Sequence, residues 1–123
     1  MKIDKKIFIR TKRSIKCLSF NSNFYKDVQE MGLMAETVFE YRKTYLANTF
    51  YYFLSSSSIE RDMQWLINIG VLRREVDGQG LTSKVRLTPL GREVLKKRPD
   101  LPEQRPSILE RIINFIFRSL MFT

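Results

Sequence analysis

"GVLRREVDGQGLTSKVRLTPLGREVL", residues 70–95, runs from one glycine through two basic, apolar-alternating stretches to the start of a helix. Asp77-Gly78 between alternating residues is a strong hairpin signal, and Gly78 with Gly80 predicts a long, pliable loop over 77–82. The strands read as 71–76 and 83–88. On the second, Val85 and Leu87 take one face and Lys84 and Arg86 the other, because successive strand residues alternate sides. Thr88 is placed to cap a following helix. Pro89 sits at the first helical position, where its missing N–H costs nothing, and Pro99 stops the helix.

Upstream, "SSSSIERDMQWLINIGVL" (55–72) reads as the helix that feeds this hairpin. Ser58 is the expected cap, with Glu60 and Asp62 in the first turn complementing its positive end. Ile59, Met63, Leu66 and Ile67 recur at the helical period on one side; Glu60, Arg61, Gln64 and Asn68 occupy the other. Gly70 ends the helix in the left-handed geometry that glycine adopts cheaply. Before it, residues 12–20 suit a helix through Ile15 and Leu18, Asn23 is placed to cap a second, closed by Gly32, and 34–43 form a third. Residues 44–57 stay open, since "TYLANTFYYFL" mixes strand-forming aromatic and β-branched residues with helix-forming Leu46 and Ala47.

The expected fold class is therefore mainly α with a small β-hairpin. Its order is that of a winged helix-turn-helix with a basic N-terminal arm and an added C-terminal apolar helix. The divisions are a basic arm at 1–11, a winged-helix domain at 12–98, a Pro-rich linker at 99–106 and an amphipathic helix at 107–123.

Composition limits the chemistry. The 123 residues include no histidine and one cysteine, Cys17, so histidine-dependent triads and histidine-ligated metals have no material. A disulfide within the chain is impossible, which fits a reducing compartment. No phosphate-cradling glycine loop and no convincing carboxylate pair is present. The expectation is a non-enzyme with no catalytic residue, metal or cofactor. "MKIDKKIFIRTKR" lacks the apolar core of a secretory signal, and no run approaches the roughly 18–20 apolar residues of a membrane span.

The net charge of +9 is concentrated. Residues 1–16 hold seven basic residues against one acidic, and 63–98 hold eight against three. A surplus gathered on an arm and a hairpin suits a polyanion, an anionic membrane surface or an acidic protein.

"GVLRREVDGQGLTSKVRLTPLG" resembles the winged-helix pattern of a helix running into G-[VL]-[LI]-x-R, a glycine-containing wing and [YF]-x-L-T-x-x-G. The longer string "LINIGVLRREVDGQGLTSKVRLTPLGR", with "KCLSF" at 16–20, is similar to a family of short uncharacterised proteins from cyanobacteria and plastids. That resemblance implies the fold and a setting in a plastid stroma or cyanobacterial cytoplasm, with thylakoid association open. It implies no activity.

In a winged helix that reads double-stranded DNA, the helix before the wing enters the major groove and the wing touches phosphate or minor groove. Gln64 and Asn68 carry amides able to pair with adenine, and Arg61 suits guanine or phosphate. Arg73, Arg74, Lys84 and Arg86 on the wing, with Lys12 and Arg13 on the arm, are the candidate phosphate contacts. Against this stand Glu60 and Asp62, which would repel phosphate from a reader helix. The leading expectation is a DNA-binding protein, a candidate transcriptional regulator. The alternative is a non-enzymatic interaction or accessory protein whose winged domain docks on an acidic complex or a thylakoid surface.

"SILERIINFIFRSLMFT" (107–123) adds a capping box, Ser107 with Glu110, ahead of a helix that is apolar around most of its circumference. Ile108, Ile112, Phe115, Ile116 and Leu120 need a partner, and burying each is worth about 1.5–3 kcal/mol. The favoured partner is a second copy in a homodimer. Packing on its own domain, a protein complex or a membrane surface are the alternatives.

Overall fold

The computed structural model describes residues 2–122, and side chains from 2 to 120. Helices α1 (Lys5–Cys17), α2 (Ser22–Glu30), α3 (Ala35–Glu40) and α4 (Arg42–Tyr45) lead to α5 (Ser56–Asn68). Strands β1 (Leu72–Asp77) and β2 (Gly80–Leu87) follow, then α6 (Pro89–Lys97) and α7 (Ile108–Phe122). Short 3-10 turns cover Thr49–Phe53 and Leu101–Glu103. Met121 and Phe122 complete the apolar run of the last helix, but their side chains lie outside the described residues.

The N-terminal charge is carried on a helix. Asp4 caps α1 by accepting from the Lys6 and Ile7 amides at 2.9 and 3.3 Å. Phe8, Thr11, Ile15 and Leu18 then repeat at helical spacing, with Thr11, Ile15 and Leu18 buried. This inward stripe carries the helix through the expected boundary at residue 11, so 1–11 is not a separate arm.

Two caps sit earlier than expected. Asn21, rather than Asn23, accepts from the Phe24 amide at 3.1 Å and starts α2. Ser55, rather than Ser58, accepts from the Ser58 amide at 3.1 Å and starts α5. The extra residues move Glu60 and Asp62 out of the first turn, which holds no acid. The third expected helix breaks at Tyr41 into α3 and α4. Gly70 ends α5 at φ +87°, as its position implied. Gly32 has another reason to be glycine: a Cβ there would stand 2.6 Å from Glu75 Oε2.

The hairpin is tighter than its two glycines suggested. Asp77 pairs with Gly80 across a two-residue turn, with Gly80 at φ +110°. The irregularity lies inside the ribbon, where Arg74 pairs with Val85 but Val76 with Leu81, leaving Glu75 opposite Thr82, Ser83 and Lys84. Leu33, between α2 and α3, pairs with Val85 through N–H···O bonds of 3.2 and 2.8 Å and adds a one-residue third strand. Helix, bridging residue, helices and hairpin make a mainly α arrangement compatible with a winged-helix-like fold.

The core joins the elements from α1 through the turn at Leu101–Glu103, and α7 adds no apolar residue to it among the described residues. Phe20 stacks on Phe24 at 4.0 Å, and Val28, Val38, Ile59, Met63, Trp65, Leu66, Val71, Val85 and Val94 fill the space around them. The open segment resolves around the same core. Leu46 pairs with Phe20, Tyr45 is buried, and Tyr51 and Tyr52 pack from the side. The stretch 99–106 is more than a linker, because Leu101 and Pro102 are buried in a turn that rests on α1.

Candidate nucleic-acid interface

α5 turns Ser57, Arg61, Gln64 and Asn68 outward, at spacings that place them along one face. Arg61 and Asn68 are exposed, while Gln64 is half-buried beside the wing. Gln64 Nε2 donates to Asn68 Oδ1 at 3.0 Å, so the two amides form one connected edge. Arg74 reaches this edge from β1, donating to Gln64 Oε1 at 3.4 Å and pairing with Glu60. A single patch thus contains Arg61, Gln64, Asn68 and Arg74.

The two acids of α5 are neutralised. Glu60 is held by Arg74. Asp62 points away from the outer face, where Arg118 of α7 meets it at 2.7 Å and the Ser19 hydroxyl donates to it at 3.2 Å. Burial raises the Asp62 carboxyl pKa, and the neighbouring Arg118 opposes that shift. The repulsion expected from these acids is therefore cancelled by contacts within the chain.

The wing divides its cations by the alternation of its strands. Arg74 turns toward α5. Arg86 turns away, pairing with Glu75 at 3.0 Å and donating to the Gln29 carbonyl at 3.3 Å. Arg73 and Lys84 are exposed to solvent and form no ion pair among the described residues. Lys12 and Arg13 lie elsewhere, on α1, over the rings of Phe8 (4.7 Å) and Phe117 (5.0 Å). They border α7 instead of joining the α5 edge.

Sequence patterning missed two exposed aromatic residues just ahead of α5. Phe50 and Phe53 are 87% and 91% exposed, on the 3-10 turn whose three-residue period sets them on one side. A spacing of three in "FYYF" was the available signal. Val76 and Leu81 are an aliphatic pair, facing each other at the wing tip and exposed by 63% and 75%.

α7 packs on its own domain with its polar stripe. Ser107 and Glu110 close the capping box at 3.0 and 3.1 Å, and Lys16 Nζ lies 2.8 Å from Glu110. Trp65 Nε1–H donates to Ser14 Oγ at 3.2 Å, and the Ser14 hydroxyl donates to Asn114 Oδ1 at 3.3 Å. The Cys17 thiol donates to the Glu110 carbonyl at 3.7 Å, and burial pushes its pKa up to about 11, so it stays protonated at neutral pH. Ile108, Ile112, Phe115, Ile116 and Leu120 face solvent. The helix is inverted relative to an ordinary surface helix.

Among the described residues no helix is long and apolar enough to cross a membrane, and no group of side chains is arranged to hold a metal ion. No curated protein and no solved structure matches the chain. A family model does match, over residues 1–118, and the chain accordingly belongs to the Npun_F0494-like family.

Proposed function

We propose that this is a winged-helix protein that binds double-stranded DNA through the outer face of α5, with the wing supplying phosphate contacts and a role in transcription regulation. The observation that carries the reading is the neutralisation of Glu60 by Arg74 and of Asp62 by Arg118. It leaves Arg61, Gln64 and Asn68 as a helix edge without a free acid. Arg61 is suited to guanine or phosphate, and the coupled amides to adenine, whose N6 and N7 present one donor and one acceptor. Exposed Arg73 and Lys84 extend the cationic surface along the ribbon.

Such contacts release counterions, so affinity falls steeply with salt. A gel shift or anisotropy titration with mixed-sequence duplex tests this between about 50 and 200 mM salt, the range in which a multi-phosphate footprint loses orders of magnitude. Binding that ignores salt, or none at the lower concentration, overturns the reading.

A further inference from the structure

We infer that the outer face of α7 is the contact of a symmetric homodimer, with a second copy of the same helix as its occupant. Three observations select this partner. The helix is held with its polar residues inward, by Lys16 on Glu110, Ser14 on Asn114 and Asp62 on Arg118. Its apolar face is therefore fixed, and no swing of the helix is needed to present it.

The second observation is area. Ile108, Leu109, Ile112, Phe115, Ile116 and Leu120 are each between 49% and 79% exposed. Together they offer on the order of 700–800 Å², beyond the 300–600 Å² of an ordinary monomer patch and close to one partner's share of a stable interface. The third is spacing. Ile108, Ile112, Phe115 and Ser119 advance by four, three and four residues, and Leu109, Ile112 and Ile116 by three and four. That is the seam by which one helix interlocks with another. Ser119, small and central, lets the helices approach.

The rim gives the contact an electrical signature. Arg61 lies with Phe115, Arg118 and Ser119 around a hollow on one flank, and Lys12 and Arg13 lie with Leu109 and Ile113 on the other. Arg118 is already paired with Asp62, and Glu110, which borders the second hollow, with Lys16, so Arg61, Lys12 and Arg13 set the charge of the rim. In a symmetric pair, cationic rims approach each other. Added salt screens them and tightens the dimer, which is the opposite of its effect on DNA or on an anionic membrane.

Sedimentation velocity of the full chain at about 50 and 500 mM salt, a range that shortens the screening length severalfold, is the test. The expected result is a dimer whose dissociation constant falls with salt. Ile112→Asp should weaken it by at least about tenfold, since each copy then buries an unpaired carboxylate. Circular dichroism reports whether that variant folds, and Ser119→Arg replaces it if it does not. A wild-type chain that stays monomeric at both salts, or variants that remain dimeric, overturn the proposal. So does a monomer that floats with phosphatidylglycerol vesicles through α7, which assigns the face to lipid. Gln64→Ala with Asn68→Ala leaves the dimer intact, so loss of DNA binding and loss of the dimer are separate results.

Discussion

Arg118 of the last helix closes on Asp62 of α5 at 2.7 Å, with the two side chains 22% and 15% exposed. One ion pair thus both silences an acid on the candidate reader helix and fastens α7 to the domain. Removing Arg118 leaves the carboxylate partly buried, with the Ser19 hydroxyl and the more distant charge of Arg61 as its remaining support. Arg118→Ala should cost about 2–3 kcal/mol at neutral pH, below the 3–5 kcal/mol of a fully buried pair because water still reaches this one.

The pH dependence of that variant has a definite sign. Burial raises the folded-state pKa of Asp62, so the folded chain binds this proton more tightly than the unfolded chain. Stability from this group therefore grows as pH falls through the raised value, and more so once Arg118 is gone. Urea titrations of Arg118→Ala and wild type at pH 7 and pH 5 should show the gap narrowing on acidification. A gap that widens contradicts the burial of Asp62.

Glu110 behaves in the opposite way. Hydrogen bonds from Lys16 and from the Ser107 backbone hold its carboxyl below the ordinary glutamate range. A depressed pKa gives stability that is present above the unfolded value, about 4.3, and lost as pH falls through the folded one. The start of α7 should loosen below about pH 4, judged against that same reference value, and exchange of the Ser107 and Glu110 amides reports it. Glu110→Gln keeps part of the capping box and should cost about 1 kcal/mol or less.

The hairpin, its feeding helix and the helix behind it were legible because each announces itself locally: Gly70, Asp77-Gly78 and Thr88-Pro89 are backbone punctuation. The α7 capping box was equally readable. What could not be read was which way that helix would face. Its apolar periodicity called for a partner, a second copy before its own domain, but said nothing of the polar stripe, which Ser14, Lys16 and Asp62 hold from two other helices. Such complementarity exists only once the chain has folded. The same holds for Glu60 and Asp62, whose partners lie 14 and 56 residues away in the chain (Arg74 and Arg118). The segment 44–57 resisted because its tyrosines serve the core while Phe50 and Phe53 do not, a division made by a 3-10 turn rather than by a regular period.

Gly91, in the first turn of α6, sits against Val71, just ahead of β1, and Leu87, at the end of β2. A Cβ there would stand 2.7 Å from both the Val71 carbonyl oxygen and Leu87 Cδ1. Leu87 can rotate, but the backbone carbonyl cannot, and it already accepts from the Thr88 amide at 3.0 Å. Gly91→Ala should destabilise the chain by about 1–3 kcal/mol despite the better helix propensity of alanine. Denaturant melts measure this. An unchanged midpoint means that α6 does not press on the Val71 carbonyl at this point.

The division of the cations predicts two classes of DNA-binding variant. Arg73 and Lys84 are exposed and, among the described residues, unpaired with any acid, so under the proposed DNA binding each would act as a phosphate contact alone. Arg73→Ala or Lys84→Ala should weaken all duplexes alike and lower the slope of log K against log salt by about 0.9 for each phosphate no longer neutralised. Gln64→Ala and Asn68→Ala remove no charge. They should leave that slope unchanged while flattening preference among sequences by about 1–3 kcal/mol at the affected base pairs. Arg74→Ala belongs to neither class: it frees Glu60 beside the amide edge, and the released carboxylate should repel the duplex more than the loss of one cation explains. The double variant Arg74→Ala with Glu60→Gln then recovers part of the affinity. If Arg74→Ala alone matches Arg73→Ala in slope and affinity, Arg74 is an ordinary phosphate contact and the neutralised helix edge is not what binds DNA.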